Sequence, residues 1–185
     1  MINELHESSK NRMGLAVEHA RNELATLRTG RANPRMVDHI KVDYYGTPTL
    51  LKTLATISVP EPRLLVIEPF DKSQIGEVEK AINIADVGMV PNSDGNVIRL
   101  KVPELTEERR KDMVKLAHDI AEEGRVAIRN IRRDANNELK TLGEKEHLSE
   151  DNIHRALENF QEITDAHIKE LDELLTAKEG EILND

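Results

Sequence analysis

Two long apolar stripes in the C-terminal half most constrain how this chain can fold. Over residues 113–142 and 153–175, apolar side chains recur at intervals of three and four residues. This spacing predicts two amphipathic helices. The first, between an N-cap at Thr106 and a stop at Gly143, would run roughly 55 Å, and the second, capped by Ser149, roughly 40 Å. Helices of this length are typical of a bundle.

A third stripe predicts a helix over residues 2–28. Its members are Met13, Ala16, Val17, Ala20, Leu24 and Leu27. Gly30 and Pro34 follow and should end the helix. Because an isolated amphipathic helix gains little stability by itself, we expect it to pack on the two C-terminal helices. Only 2% of the residues are aromatic and none is Trp, which suits a core of packed helices.

The segment between these stripes has a different pattern. Residues 36–102 are rich in β-branched residues and turn formers, which predict a small α+β module. A short helix should begin at Asp71 or Ser73 and end near Ala85. The expected strands cover residues 37–44, 49–59, 64–68 and 97–102.

These elements predict an α+β fold in two domains. Residues 1–29 and 105–185 would form a discontinuous three-helix bundle, and residues 30–104 an inserted domain. Two short connections would join them, and they are either ordinary loops or a two-strand hinge. The candidate hinge residues are Gly30, Arg31, Pro34, Pro103, Glu104 and Leu105.

Charge is distributed unevenly along the chain. The net charge is −9, yet residues 109–133 hold eight basic and four acidic residues, a net charge of +4. Residues 144–185 hold thirteen acidic and four basic residues, a net charge of −9. Because salt screens exposed charges beyond about 10 Å, the cationic segment can act locally despite the acidic total.

Arginines within the cationic segment form one face of the predicted helix. Arg125, Arg129 and either Arg132 or Arg133 follow one another at intervals of three or four residues. The planar guanidinium suits phosphate, but such a face is also typical of a solvated surface paired to acids on the next helix. No acid lies between Arg125 and Arg133, which favours the phosphate hypothesis.

Other chemistries find little support in the sequence. The chain has no Cys, no phosphate-binding glycine loop and no GxSxG elbow. Two His-containing groups, over residues 118–122 and 144–147, are weak metal candidates. We therefore expect no enzyme activity, no metal and no cofactor. No apolar run approaches the roughly 20 residues of a membrane span, and the N-terminus is polar, so we expect a cytoplasmic protein without membrane contact.

Several motifs resemble the ribosome recycling factor family. They are Leu27-Arg28-Thr29-Gly30-Arg31-Ala32, Tyr44-Tyr45-Gly46-Thr47-Pro48, Pro103-Glu104-Leu105-Thr106-Glu107-Glu108-Arg109-Arg110 and Ile128-Arg129-Asn130-Ile131-Arg132-Arg133-Asp134. Further matches at Gly95, residues 97–100 and residues 178–179 extend the resemblance over essentially the whole chain. Gly180 stands where the family often has a charged residue.

The resemblance implies an L-shaped molecule with a three-helix bundle and an inserted β/α/β domain. It implies a translation factor that binds the post-termination ribosome through large-subunit ribosomal RNA. Elongation factor G would then use GTP to separate the subunits, so this chain would need no cofactor of its own. The candidate RNA-binding residues, in order of expectation, are Arg132, Arg129, Arg133 and Arg28, with Arg125 on the same face. Arg28 could instead be a cation at a helix C-terminus.

Two other functions remain open from the residues. The chain could be a coiled-coil adaptor or chaperone that binds a protein partner through its apolar seam. It could also be a metal-dependent hydrolase built into the bundle. Ribosome binding that weakens with salt would favour the translation factor over the adaptor. We expect a monomer.

Overall fold

The computed structural model describes residues 1–184, which divide into two compact units. One comprises Met1–Thr29 and Glu107–Asn184, and the other comprises Gly30–Thr106. The elements in chain order are α1 (Ile2–Thr26), β1 (Lys41–Tyr44), β2 (Thr47–Leu50), α2 (Leu51–Leu54), β3 (Ala55–Glu61), β4 (Leu64–Pro69), α3 (Ile75–Ala85), β5 (Pro91–Ser93), β6 (Ile98–Lys101), α4 (Glu107–Glu146) and α5 (Glu150–Leu183). The predicted α+β fold with a three-helix bundle is confirmed.

The first unit is a bundle of α1, α4 and α5, as the three stripes predict. Three buried clusters follow one another along it. They comprise Ala135, Leu139, Ala156 and Phe160 with Ile2 and Leu5; Met13, Val17, Ala20, Ile128 and Leu171; and Leu24, Ala117, Ala121 and Leu175. The start of α1 therefore lies beside the end of α4, so these two helices are antiparallel. Side chains from all three helices share one apolar core, which excludes water along the bundle.

Gly124 lies where all three helices are in contact. A Cβ atom on Gly124 would lie 2.8 Å from Leu171 Cδ2 on α5 and 3.5 Å from Ala20 Cβ on α1. Leu171 is fully buried, so its side chain can yield only by displacing its own neighbours. A glycine in a helix costs up to about 1 kcal/mol relative to alanine. Here the cost is offset by the packing that the missing side chain permits.

The expected stop of α4 at Gly143 is wrong. The helix continues to Glu146, and Gly143 is buried inside it against Ile153. The turn comes instead at His147, which has a φ of 50°, and the Leu148 amide donates to the Gly143 carbonyl at 3.1 Å. Ser149 caps α5 as predicted, since its hydroxyl accepts from the Asn152 amide. At 40 residues, α4 is roughly 60 Å long.

Two further helix predictions differ from the structure. α1 ends at Thr26, two residues before the expected limit, because Leu27 is already extended, with φ −68° and ψ 133°. The expected apolar stripes also included Leu116 and Leu157, but both side chains are exposed. Periodicity assigns a residue to a face, whereas the position of the neighbouring helix decides how much of that face is covered.

The second unit has two antiparallel sheets and one packed helix. β1 pairs with β2, and the larger sheet has the order β3-β4-β6-β5. α3 covers this unit's core with Val78 and Ile82, which lie with Leu65, Ile67 and Ile98 among the fully buried residues. Asp71 accepts a hydrogen bond from the Ser73 amide at 3.0 Å and so caps the 3-10 turn Lys72–Gln74, which leads into α3. The α-helix itself begins after Gln74, which forms no side-chain cap.

The extended segments are shorter and more broken than expected. Residues 34–37 form a 3-10 turn, so the first strand begins at Lys41 and not at residue 37. The expected strand over residues 49–59 is divided by α2 into β2 and β3. A further short strand, β5, lies where only turn residues were expected. Leu51 is fully buried at the start of α2.

Replacing Gly124 by valine should destabilise the bundle. We expect Gly124→Val to lower the free energy of unfolding by roughly 1–3 kcal/mol, because the added atoms overpack the contact with Leu171. Gly180→Val in α5 is the matched control, since a Cβ there meets only Asn184 Nδ2 at 3.8 Å. Urea unfolding followed by circular dichroism measures both variants. Equal stability of the two would contradict a packing role for Gly124.

Candidate nucleic-acid interface

Three arginines on α4 lie along its border with α5. Arg125, Arg129 and Arg132 share one side of the helix because they are four and three residues apart. Two of them reach α5 directly, Arg125 at Asp172 and Arg132 at Gln161. We call Arg125, Arg129 and Arg132 the arginine seam. The structure therefore places these three arginines on one helix face, as the spacing predicts.

Arg125 is paired with carboxylates on both helices. Its guanidinium contacts Glu122 at 2.9 Å and Asp172 at 2.8 Å, and only 22% of its side chain is exposed. Burial lowers the pKa of Arg125, but hydrogen bonds from the guanidinium to Asp172 and Glu122 outweigh it, so its pKa is raised. We expected few carboxylates around this face, and at Arg125 that expectation is wrong. Here the alternative hypothesis is correct, because the arginine is paired with an acid on the next helix.

Arg129 shares Glu122 with Arg125. Its Nη2 donates to Glu122 Oε1 at 2.6 Å, and the side chain stays 44% exposed. Hydrogen bonds from Arg125 and then Arg129 hold the pKa of Glu122 below its ordinary value, so this carboxylate is charged at neutral pH. One carboxylate therefore faces two guanidiniums, and Arg129 is only partly neutralised.

Arg132 has a neutral partner. Its Nη1 donates to Gln161 Oε1 at 2.6 Å, and Gln161 Nε2 donates in turn to Asp165 Oδ1 at 2.7 Å. An amide orients the guanidinium without cancelling its charge. Arg132 thus keeps a net positive charge and is held in a fixed orientation, half-exposed on the seam.

The two remaining candidate arginines lie away from the seam. Arg133 is exposed on α4, and Arg28 is exposed beyond the end of α1. Within residues 1–184, neither forms an ion pair. Arg28 follows Thr26, the last helical residue, by two positions, so it is not within the final turn of α1. Both side chains can reach a phosphate without first breaking an internal bond.

Sequence reasoning missed the partners of the seam. Glu122 lies three residues before Arg125, a spacing that could have been recognised from the sequence. Asp172 and Gln161 are 47 and 29 residues from their arginine partners, so only the antiparallel register of α4 and α5 brings them close. Register depends on packing across the whole hairpin and leaves no local signal.

The weak metal candidates do not form a site in the described part of the chain. His118 is in contact with Glu179 on α5, which occupies one side of the imidazole. Glu144 and His147 fall at the end of α4, where the helix geometry breaks at His147. Among residues 1–184, no cluster of three or more His, Asp or Glu side chains could hold a metal ion. No helix in that range is long and apolar enough to cross a membrane.

Backbone hydrogen bonds fix parts of both connecting segments to the second unit. Gly30 has a φ of 78°, a conformation that strains other residues. The Ala32 amide then donates to the Pro62 carbonyl at 2.7 Å, and the Val102 amide donates to the Arg63 carbonyl at 2.9 Å. Glu104 pairs with Arg63. The unit boundaries fall outside these fixed points, after Thr29 and after Thr106.

Comparisons with known proteins point to one family, and the matches cover almost the whole chain. Residues 20–183 match the sequence model of the ribosome recycling factor family. Ribosome-recycling factor from Syntrophomonas wolfei subsp. wolfei is 54% identical over 184 residues, with 99% of each chain covered. The corresponding protein of Halothermothrix orenii is 50% identical over 183 residues, again with 99% of each covered.

Solved structures give the same result. The solution structure of a ribosome recycling factor has a TM-score of 0.78 at 43% identity, covering 100% of this chain and 98% of that one. A second structure contains the T. thermophilus ribosome recycling factor and E. coli elongation factor G on the E. coli post-termination complex. It has a TM-score of 0.68 at 45% identity and covers 99% of each chain.

The discontinuous helical bundle with its inserted α+β unit, together with these matches, defines a class of two-unit translation factors. The chain belongs to the ribosome recycling factor family.

The shared carboxylate predicts a titration that depends on two of the three seam arginines. Arg125→Ala and Arg129→Ala should each raise the pKa of Glu122 towards its ordinary value, because each removes a hydrogen bond to the charged form. Arg132→Ala is the matched control and should leave the pKa of Glu122 unchanged, since Arg132 contacts Gln161. Nuclear magnetic resonance of the Glu122 carboxyl carbon across a pH titration measures the pKa in each variant.

The lowered pKa of Glu122 also determines how the stability of the fold depends on pH. The bonds to Glu122 stabilise the fold fully above the ordinary glutamate pKa, and the stabilisation is lost as pH falls through the folded-state value. If Arg132→Ala shifted the pKa of Glu122 as much as Arg129→Ala, the described pairing would be wrong.

Proposed function

We propose that this protein binds the post-termination ribosome and, with elongation factor G and GTP, separates the two subunits so that they can be recycled. Membership of the ribosome recycling factor family supports the role. The choice of partners is supported by the related T. thermophilus protein, which has been placed with elongation factor G on a post-termination complex. GTP would be consumed by that partner, so the chain itself is a translation factor without enzyme activity or cofactor.

The observation that best supports RNA binding is the state of Arg132. Its guanidinium is oriented by a neutral amide, so a phosphate that binds there gains an ionic contact without displacing a carboxylate. RNA helices are recognised largely through shape and backbone, so a fixed guanidinium row needs no base-reading motif. We propose large-subunit ribosomal RNA as the main ligand of this surface.

The other arginines should contribute unequally. Arg133 and Arg28 are exposed and can meet phosphate directly, whereas Arg129 must share its charge with Glu122. Arg125 should contribute least, because Glu122 and Asp172 already surround its guanidinium. We propose that Arg125 mainly fixes α4 against α5, while Arg132, Arg133, Arg129 and Arg28 bind the RNA.

The proposed mechanism uses the bundle as a stiff lever. α4 has 40 residues packed on two neighbouring helices, so a force applied to one end can be transmitted along roughly 60 Å. Gly30, Arg31, Pro34, Pro103, Glu104 and Leu105 stand at or near the two unit boundaries. We propose that they form a hinge that lets the smaller unit move when elongation factor G acts. We also propose that the protein is cytoplasmic and monomeric.

The direct test of this function is a subunit-separation assay. Purified protein, elongation factor G and GTP are mixed with post-termination ribosomes, and the products are resolved by sucrose-gradient sedimentation. Conversion of ribosomes into subunits that requires all three additions supports the proposal. Ribosomes that stay intact under these conditions would refute it.

Charge reversal at Arg132 should weaken ribosome binding. We expect Arg132→Glu to lower affinity at least tenfold, because a phosphate contact is replaced by repulsion. Lys10→Glu, the same charge change on exposed α1, is the control and should retain affinity within about twofold. Cosedimentation with ribosomes over a salt series measures affinity and its salt dependence. An affinity that does not change with salt concentration would favour the adaptor alternative, in which the apolar stripe of the bundle binds a protein partner.

Lengthening the first connection should affect separation more than binding. Two glycines inserted between Gly30 and Arg31 would uncouple movements of the two units while leaving the arginine seam untouched. We expect ribosome binding within about twofold of the wild type, alongside a clear loss of subunit separation, with circular dichroism as the check on folding. Full separation activity in this variant would contradict a hinge.

A further inference from the structure

Within residues 1–184, basic side chains of α4 bridge to α5 at regular intervals. The bridging residues are His118, Arg125 and Arg132, and they are seven residues apart. Seven residues are about two helical turns, so all three lie on one border of α4. Their partners on α5 are, in the same order, Glu179, Asp172 and Gln161. Two bridges therefore end on a carboxylate, and the bridge from Arg132 ends on a neutral amide.

The Gln161 amide is held in one orientation. Its Nε2 donates to Asp165 Oδ1 at 2.7 Å, one turn further along α5. Because an ionised carboxylate can only accept, the amide must present its NH₂ group to Asp165 and its oxygen to Arg132. The Gln161 oxygen then accepts from Arg132 Nη1 at 2.6 Å. Asp165 thereby sets the direction in which Gln161 acts.

This arrangement leaves most of the Arg132 guanidinium available. An arginine has five N–H donors, and within residues 1–184 that of Arg132 forms no hydrogen bond or ion pair besides the one to Gln161. A phosphate can be bound by two parallel donors of such a group. Holding the guanidinium in place beforehand reduces the side-chain freedom that is lost when the phosphate binds.

We propose that Gln161 is a positioning residue of the RNA-binding surface, supported by Asp165. Gln161 acts through Arg132 by fixing the guanidinium while leaving its charge uncompensated. A carboxylate at position 161 would instead make the third bridge an ion pair like that of Arg125. This inference rests on the proposed binding of RNA by Arg132, and it makes α5 part of the surface that binds RNA.

A double-mutant cycle tests whether Gln161 acts through Arg132. Gln161→Met keeps the length of the side chain but removes the acceptor. We expect it to weaken ribosome binding about threefold in the wild-type background and to have no effect in an Arg132→Ala background. Cosedimentation measures all four proteins at one salt concentration at which Arg132→Ala still binds. Circular dichroism confirms that each protein is folded.

The orientation of Arg132 can be measured in the free protein. Nuclear magnetic resonance of the ¹⁵N-labelled guanidinium reports how fast the group rotates about its Nε–Cζ bond. Rotation in Arg132 should be slow in the wild type and clearly faster in Gln161→Met, because the bond to the amide is lost. An unchanged rotation rate would contradict the positioning role.

Gln161→Glu tests whether the neutrality of the amide matters. The new carboxylate would pair with Arg132, so we expect affinity to fall about tenfold and the salt slope of binding to decrease by about one. Ala166→Glu adds the same charge to exposed α5 about 140° around the helix from Gln161. This control should stay within about twofold of the wild type and keep its salt slope.

Asp165 gives a test in which two explanations predict opposite signs. If charge alone mattered, Asp165→Ala would strengthen binding, because it removes an acid from the neighbourhood of an anionic ligand. If Asp165 supports Gln161, the same variant should weaken binding, about twofold to threefold at physiological salt. Glu162→Ala, which removes an exposed acid next to Gln161 in sequence, is the matched control and should not weaken binding.

The outcomes separate this proposal from the proposed function. If Gln161→Met weakens binding equally with and without Arg132, Gln161 acts elsewhere and the proposal is overturned. If Arg132→Ala weakens binding but no variant of Gln161 or Asp165 does, the positioning role fails and RNA binding by Arg132 stands. If Arg132→Ala binds like the wild type, the role of Arg132 itself is wrong, and the positioning role falls with it.

Discussion

The burial of one apolar stripe from each of three helices underlies the rest of this structure. At Gly124, the absence of a side chain lets Leu171 and Ala20 approach the α4 backbone. Because α1 is separated from α4 by the whole inserted unit, this burial is also what makes the bundle discontinuous in sequence. Most of the stability of α4 comes from packing its apolar face on α1 and α5, and the same packing stiffens the helix.

The same packing decides the electrostatics of the α4 surface. Once α5 is antiparallel to α4, Asp172 falls beside Arg125 and Gln161 beside Arg132. One arginine is thereby neutralised and the other is oriented with its charge intact. The row of arginines that looks uniform in sequence is graded in the structure, from a positioning residue at Arg125 to a phosphate-binding candidate at Arg132.

Much of the fold could be predicted because the signals are local and repeated. The three helices follow from periodicity. Ser149 caps α5, and Asp71 caps the 3-10 turn before α3, because short polar side chains satisfy exposed amides. Two of the failures share one cause. Gly143 does not end α4, and α2 interrupts the expected strand, because Ile153 and the buried Leu51 gain more from packing than the local preference costs.

The sequence by itself determined the helices, the insertion of the α+β unit, the arginine spacing and the likeness to a family, since each is written in neighbouring residues. Only the tertiary structure decided that Arg125 is paired with a carboxylate on α5 and that Arg132 is oriented by an amide there. Both depend on the register between α4 and α5. That register is set by the summed packing of distant side chains, which no short segment of the chain encodes.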